Sequence, residues 1–281
     1  MREIFEALGY PDDESLAQLF ERAAQDGGII PGHKMVEKYE DIIDEISIKL
    51  PEVFDILPKA EVVVIGASVG GFYSPGSMDG SRPGAFYAQV DGRGEPYYLM
   101  ASLTYHETIP GHHLQTALAQ GLNLPSFRNI IEFNGYAEGW ALYAERLAWE
   151  MGMYDDDPFG DLGRLQFEAL RAARMVVDTG IHEKGWTFDQ ATDFFVDNVG
   201  WTRQDCEYEI ARYTVWPGQS TSYLIGMLKI LELRQYAMDQ LGDQFDLKEF
   251  HNVVLSNGSM PLSMLEKIIE NYVAEKLALN S

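Results

Sequence analysis

Three of the chain's six histidines fall within the eight residues His106-Glu107-Thr108-Ile109-Pro110-Gly111-His112-His113. Imidazole is the commonest protein ligand for a borderline metal such as zinc. A carboxylate beside such a ligand, here Glu107, is placed to act as the general base of metal-assisted hydrolysis. The segment therefore points to a metallohydrolase. The chain holds one cysteine, Cys206, so a thiolate-rich metal site is excluded. A His/Glu set suits zinc, with manganese, cobalt and nickel as alternatives.

In the usual zincin pattern two histidines four residues apart share a helix face. Here the fourth residue after His106 is Pro110, which cannot bind metal. His113 lies on the same ideal helix face as His106, but about 10 Å further along the axis. His112 is nearer and rotated away. Pro110 removes a backbone hydrogen bond and clashes with the preceding turn, so a kink is expected there. A distorted turn can bring either His112 or His113 to the metal, and spacing does not choose between them. A catalytic zinc takes a third protein ligand and keeps one position open. Glu138, in Gly135-Tyr136-Ala137-Glu138-Gly139-Trp140, is the best candidate, on a helix that can return antiparallel to the first. Glu145, seven residues on, shares its face and can steady a ligand histidine from behind.

The elements that must position these residues are mostly helices. Residues 11–26 read as a capped amphipathic helix ending at Gly27-Gly28, and 32–49 as a second. A β element follows over about 61–99. It has strands at 61–65, 85–90 and 96–99, a Gly-rich loop at 66–84, and a turn at 91–94. Helices are expected at 100–120, 126–151, 158–183, 187–198, 203–213, 218–241, 246–255 and 261–278. The fold class is mainly α, a multi-helix zincin-like domain with a small antiparallel β element beside the active-site helix. One domain spans 1–281: a helical lead-in to residue 60, the β element, and a helical core from 100. The strand at 85–90 is expected to be an edge that pairs with extended substrate backbone. Phe72 and Tyr73, in the Gly-rich loop, belong to a lid or to a plain connection.

The 281 residues are 46% hydrophobic, with a net charge of −23. Such a surface repels phosphate backbones and anionic lipid, which argues against nucleic-acid and membrane-surface roles. The N-terminus has no apolar run of the signal-peptide kind, and no stretch is long enough to span a membrane. The cytoplasm is the expected compartment. Neither a phosphate loop nor a serine-hydrolase elbow is present.

Five blocks, HETIPGHHLQ, EGWALYAERL, DTGIHEKGW, ARYTVWPGQSTSYLIG and FHNVVLSNGSMPL, resemble in order those of the bacterial family called domain of unknown function 885. The resemblance covers roughly residues 30–275. It implies a mainly helical zinc metallopeptidase akin to the gluzincins, whose motif is HExGH followed by a Glu ligand on the next helix. By this resemblance His106 and Glu138 are ligands and Glu107 the base. Matching Gly-His to Gly111-His112 favours His112, while two inserted residues keep His113 open. Family members are commonly about twice this length, so the chain resembles a C-terminal half.

In the shared blocks, Tyr213, Tyr223, Arg212 and His182 are candidates to stabilise the oxyanion of peptide hydrolysis. Arg212 or Arg82 is a candidate to pair with a substrate carboxylate. Each has a bland reading beside it: Tyr223 as core, His182 as a helix cap, Arg212 as the partner of Glu209. The expected function is a zinc-dependent peptidase acting on peptide substrates. The alternatives are a metallohydrolase of another amide or ester, and a non-catalytic metal-binding scaffold. A homo-oligomer, or a partner chain that supplies a missing N-terminal half, is also open.

Overall fold

The computed structural model describes residues 1–90 and 92–279 and is mainly helical, as the patterning predicts. Asp91, the first residue of the expected 91–94 turn, lies outside the described residues. The lead-in holds α1 (Arg2–Ala7), α2 (Leu16–Gly27) and α3 (Met35–Lys49). At the start of α2 the Ser15 hydroxyl and the Gln18 side chain cap each other's backbone N–H. The sequence pattern does not mark the first helix. It forms because Phe5 packs against Phe20 beside Tyr98, with ring centroids 5.2 and 5.6 Å apart along that series.

The β element comprises β1 (Ile29–Ile30), β2 (Val62–Ala67), β3 (Phe72–Ser74), β4 (Gly84–Gln89) and β5 (Glu95–Pro96). Antiparallel pairing holds for β1 with β5 and for β3 with β4. Between β2 and β4 the pairing is parallel, with Val64 opposite Phe86. The intervening β3, inside the expected loop, takes up one chain reversal, so β4 returns in the direction of β2. The sheet order β2-β4-β3 makes β4 the central strand. The edge-strand expectation for 85–90 is therefore corrected: both backbone edges of β4 are paired, and the free edges belong to β2 and β3. The expected strand at 96–99 is likewise mostly helix, because Pro96 caps α4 (Tyr97–Glu107) and Tyr98 packs into the α1–α2 cluster.

Beyond α4 come α5 (His112–Gln120), α6 (Asn134–Glu150), α7 (Pro158–His182), α8 (Phe188–Val199) and α9 (Arg203–Val215). The chain closes with α10 (Ser222–Leu241), α11 (Leu247–Leu255) and α12 (Leu262–Leu279). The expected helix at 126–151 divides into a short 3-10 turn at Ser126–Asn129 and α6, with irregular chain between. The main core runs through α3, α4, α6, α10 and α12, around Trp140 and Ile230. A second core joins α7, α8 and α9 around Phe195 and Tyr213. Helices α6 and α10 touch at Gly139 and Gly226, where a Cβ on Gly139 would stand 2.4 Å from the Gly226 Cα. This backbone approach carries Tyr223, one turn before Gly226, over the end of α4.

Candidate metal centre

The helix through His106 ends rather than kinks. Thr108 leaves helical geometry, and α5 restarts at His112 behind Pro110 and Gly111. Pro110 has no N–H to continue the ladder. Gly111 is required sterically, since a Cβ there would lie 2.0 Å from the His106 carbonyl oxygen. The break places His106 in the last turn of one helix and His112 at the first position of the next. Their rings meet edge to face, with centroids 4.8 Å apart.

Glu138 enters from α6. Its Oε2 lies 3.4 Å from His106 Nε2 and 3.2 Å from His112 Nε2, and neither contact is a hydrogen bond. That buried oxygen therefore has no hydrogen-bond partner. One ligand atom from each of the three residues falls within 4.8 Å of the others. Bonds of about 2.1 Å to a tetrahedral zinc would set ligand atoms about 3.4 Å apart, so the spacing fits that ion.

The far side of His106 is held firmly. Its Nδ1 lies 2.8 Å from Glu145 Oε1, so Nδ1–H donates to the carboxylate and Nε2 is the ring nitrogen that faces Glu138 and would coordinate a metal once deprotonated. Glu145 also accepts from Ser102 Oγ at 2.5 Å and pairs with Arg171 at 3.2 Å. Burial works against a charge on His106, yet the Glu138 and Glu145 carboxylates outweigh it and push the imidazole up to about 9. The same burial would raise Glu138, but the two imidazoles hold its carboxyl well below the usual range. These buried carboxylates provide a field that favours a cation at the Nε2 end of His106. Glu107 lines the same cavity, and burial raises its carboxyl above the ordinary value.

His113 does not join this group. Its Nε2 donates to the Ala60 carbonyl at 3.0 Å, and its Nδ1 accepts from the Tyr73 hydroxyl at 3.0 Å. With both ring nitrogens engaged it has no lone pair for a metal, and it instead ties β3 to α5. The sequence could not show this, because Ala60 lies 53 residues upstream.

The cavity beside the cluster has a volume of about 360 Å³. Phe72, Tyr73 and Pro75 form one wall, so the Gly-rich segment is part of the site. Arg212, Trp216, Gln219 and Tyr223 form the opposite wall. The Tyr223 ring stacks on His106 with centroids 6.1 Å apart, and its hydroxyl accepts from Gln219 at 3.2 Å. Arg212 lines the cavity while its NH2 donates to Glu209 at 2.8 Å; its Nε is buried without a partner.

Tyr213 and His182 are corrected. The Tyr213 hydroxyl points into the α7–α9 interface, where it donates to Glu209 at 2.5 Å and accepts from Arg174 at 2.8 Å. His182 is exposed, and its Nε2 donates to the Tyr213 carbonyl at 2.9 Å, which makes it a link between helix ends. Neither lines the cavity, and Arg82 does not line it either. The residues missed by sequence reasoning include Ser102, Arg171 and Glu132. Arg171 had a signal: Arg164, Arg171 and Arg174 recur on one helix face, and all three are buried. A larger cleft of about 860 Å³ opens between α2 and α9, but it holds no histidine and does not reach the cluster.

The chain matches the profile of a bacterial protein family of unknown function, DUF885, over residues 1–269. No curated protein matches it. It is similar to the crystal structure of a candidate lipoprotein from Colwellia psychrerythraea, with 40% identity and a TM-score of 0.92. That match covers 97% of this chain and 49% of the other. A candidate lipoprotein of unknown function from Shewanella oneidensis shares the fold at 24% identity and a TM-score of 0.84, over 95% of this chain and 53% of the other. The chain thus spans about half the length of these solved structures. Among the described residues no helix is long and apolar enough to cross a membrane. With the family profile matched along nearly its whole length, the chain belongs to DUF885.

Proposed function

We propose that this chain carries the metal centre of a hydrolase that cleaves peptide bonds, with zinc held by His106, His112 and Glu138. The observation that carries the reading is the orphaned Glu138 oxygen between two imidazole Nε2 atoms, one of them oriented from behind by Glu145. When bound, zinc supplies Lewis acidity toward a carbonyl oxygen and makes a water molecule easier to deprotonate. Glu107 takes the proton of the attacking water. It returns that proton to the departing amine nitrogen as the C–N bond breaks. Its raised carboxyl suits both halves of this exchange. Tyr223, held over His106 beside Gln219, is positioned to donate to the oxyanion, and the Arg212 guanidinium presents positive charge to the same cavity.

A second reading, in which a partner chain or further segment completes the cleft, is favoured by the half-length match to the solved structures. A membrane-tethered location is favoured by the description of those structures as candidate lipoproteins and competes with the cytoplasm; cell fractionation decides between them. The test of the main reading is hydrolysis of short peptides by the zinc-loaded chain against its Glu107→Gln variant. The variant keeps zinc and loses about 10²- to 10⁴-fold in turnover. Equal turnover in both would end the mechanism.

A further inference from the structure

We propose that a second pocket beside the metal centre receives the C-terminal residue of a peptide, which makes this protein a carboxypeptidase; the proposal rests on the peptidase reading above. The pocket has a volume of about 300 Å³ and shares Pro75, Thr116 and Glu132 with the metal cavity, so one substrate can occupy both. Gln115 lines it and is 6% exposed, and its side-chain Nε2 has no hydrogen-bond partner. A buried amide donor without an acceptor costs free energy that a ligand oxygen would recover.

A second donor lines the same pocket. The Arg128 side chain lines the pocket and is anchored through one terminal nitrogen to the carbonyls of Asn257 and Ser259, at 2.7 and 3.1 Å. Its position is therefore fixed, while the charge of the guanidinium still faces the pocket. An amide NH2 and a guanidinium together match a carboxylate. The remaining wall includes Ala119 and Ile131, an apolar surface for the side chain of that terminal residue. The distance is also suitable. Gln115 follows His112 by three residues, about 4.5 Å of helix rise, and one residue of extended chain spans about 3.3 Å. A carboxylate held at Gln115 would therefore sit about one extended residue along α5 from the first turn that carries His112.

The donors belong to the chain itself, so binding can be read without turnover. Acetyl-Gly-Leu and its C-terminal amide are titrated against the full chain by calorimetry. The same pair is then titrated against Arg128→Gln and Gln115→Leu. The acid should bind at least about tenfold more tightly than the amide, and either substitution should collapse that ratio toward one. Gln115→Leu keeps the side-chain volume and reads the donor even if Arg128→Gln loosens the loop. In parallel, zinc-loaded chain should release the last residue of free-acid peptides and spare the amides. Preference for the acid without hydrolysis would keep the pocket and remove the peptidase reading. Hydrolysis with equal binding of acid and amide would keep the peptidase and overturn the pocket.

Discussion

Two buried polar clusters sit on neighbouring helices of this molecule and differ in one respect. In the α7–α9 cluster, Arg174 and Arg212 both reach Glu209, and Tyr213 bridges Arg174 to the same carboxylate. The charges pair around Glu209 and the Tyr213 hydroxyl is satisfied; the one orphan, Arg212 Nε, is a donor and not a lone pair. In the α4–α6 cluster, Glu145 is equally well paired, to His106, Ser102 and Arg171, but Glu138 Oε2 has no hydrogen bond and meets only the two imidazole Nε2 atoms. The unpaired oxygen and two imidazole nitrogens face a cavity. A carboxylate consumed by its own cations holds helices together, whereas a carboxylate oxygen that faces two imidazole nitrogens beside a cavity is a candidate cation site.

This comparison can be broken by mutation. The largest effect is expected at the ligands: His112→Ala should abolish tight zinc binding, while His113→Ala should keep it, read by metal content after dialysis. The reverse would place the metal on the other histidine. Glu145→Gln, which keeps the shape but weakens the grip on His106 Nδ1, should lower zinc affinity about 10- to 100-fold, read by chelator competition. Tyr213→Phe should leave zinc affinity alone and cost about 1–3 kcal/mol of stability in chemical denaturation, because Arg174 and Glu209 lose their bridge. A loss of metal binding in that variant would erase the distinction between the clusters.

The last effect concerns pH, and it arises away from both clusters. His251 is buried against Phe54, donates from Nδ1 to the Val53 carbonyl at 2.9 Å and accepts at Nε2 from the Tyr143 hydroxyl at 2.8 Å. Burial lowers its pKa to about 4, with the nearby Arg234 adding to the effect and Asp246 opposing it. The unfolded chain binds this proton from about pH 6.5 downward, and the folded chain only near pH 4. The unfolded state therefore holds more protons within that window, and stability falls as the pH is lowered through it, by about 3 kcal/mol in all. His251→Gln should flatten that part of the stability profile; an unchanged slope would assign it to other groups.

Much of the candidate cluster, as a grouping of side chains, was legible because its information is local. His106, Glu107 and Glu138 stand out by residue type and spacing, and Glu145 follows from helix periodicity. What was not legible depends on distant chain. The choice between the two adjacent histidines turns on the Ala60 carbonyl and on Tyr73, which capture His113 from 53 and 40 residues away. Tyr213 looked available for chemistry because Arg174, its partner on α7, is 39 residues upstream. The fold was readable to the same degree. Helices announce themselves by period and caps, but the short β3 is hidden in a Gly-rich segment. Its insertion made β4 central and changed which strand edge is free.

The central claim is that His106, His112 and Glu138 bind one zinc ion. Elemental analysis of the purified chain, with His106→Ala beside it, tests this most directly. The account predicts about one zinc per wild-type chain and none retained by the folded variant. Well-folded wild type that takes up no zinc even when it is supplied, or a His106→Ala variant that binds as much as wild type, would contradict it.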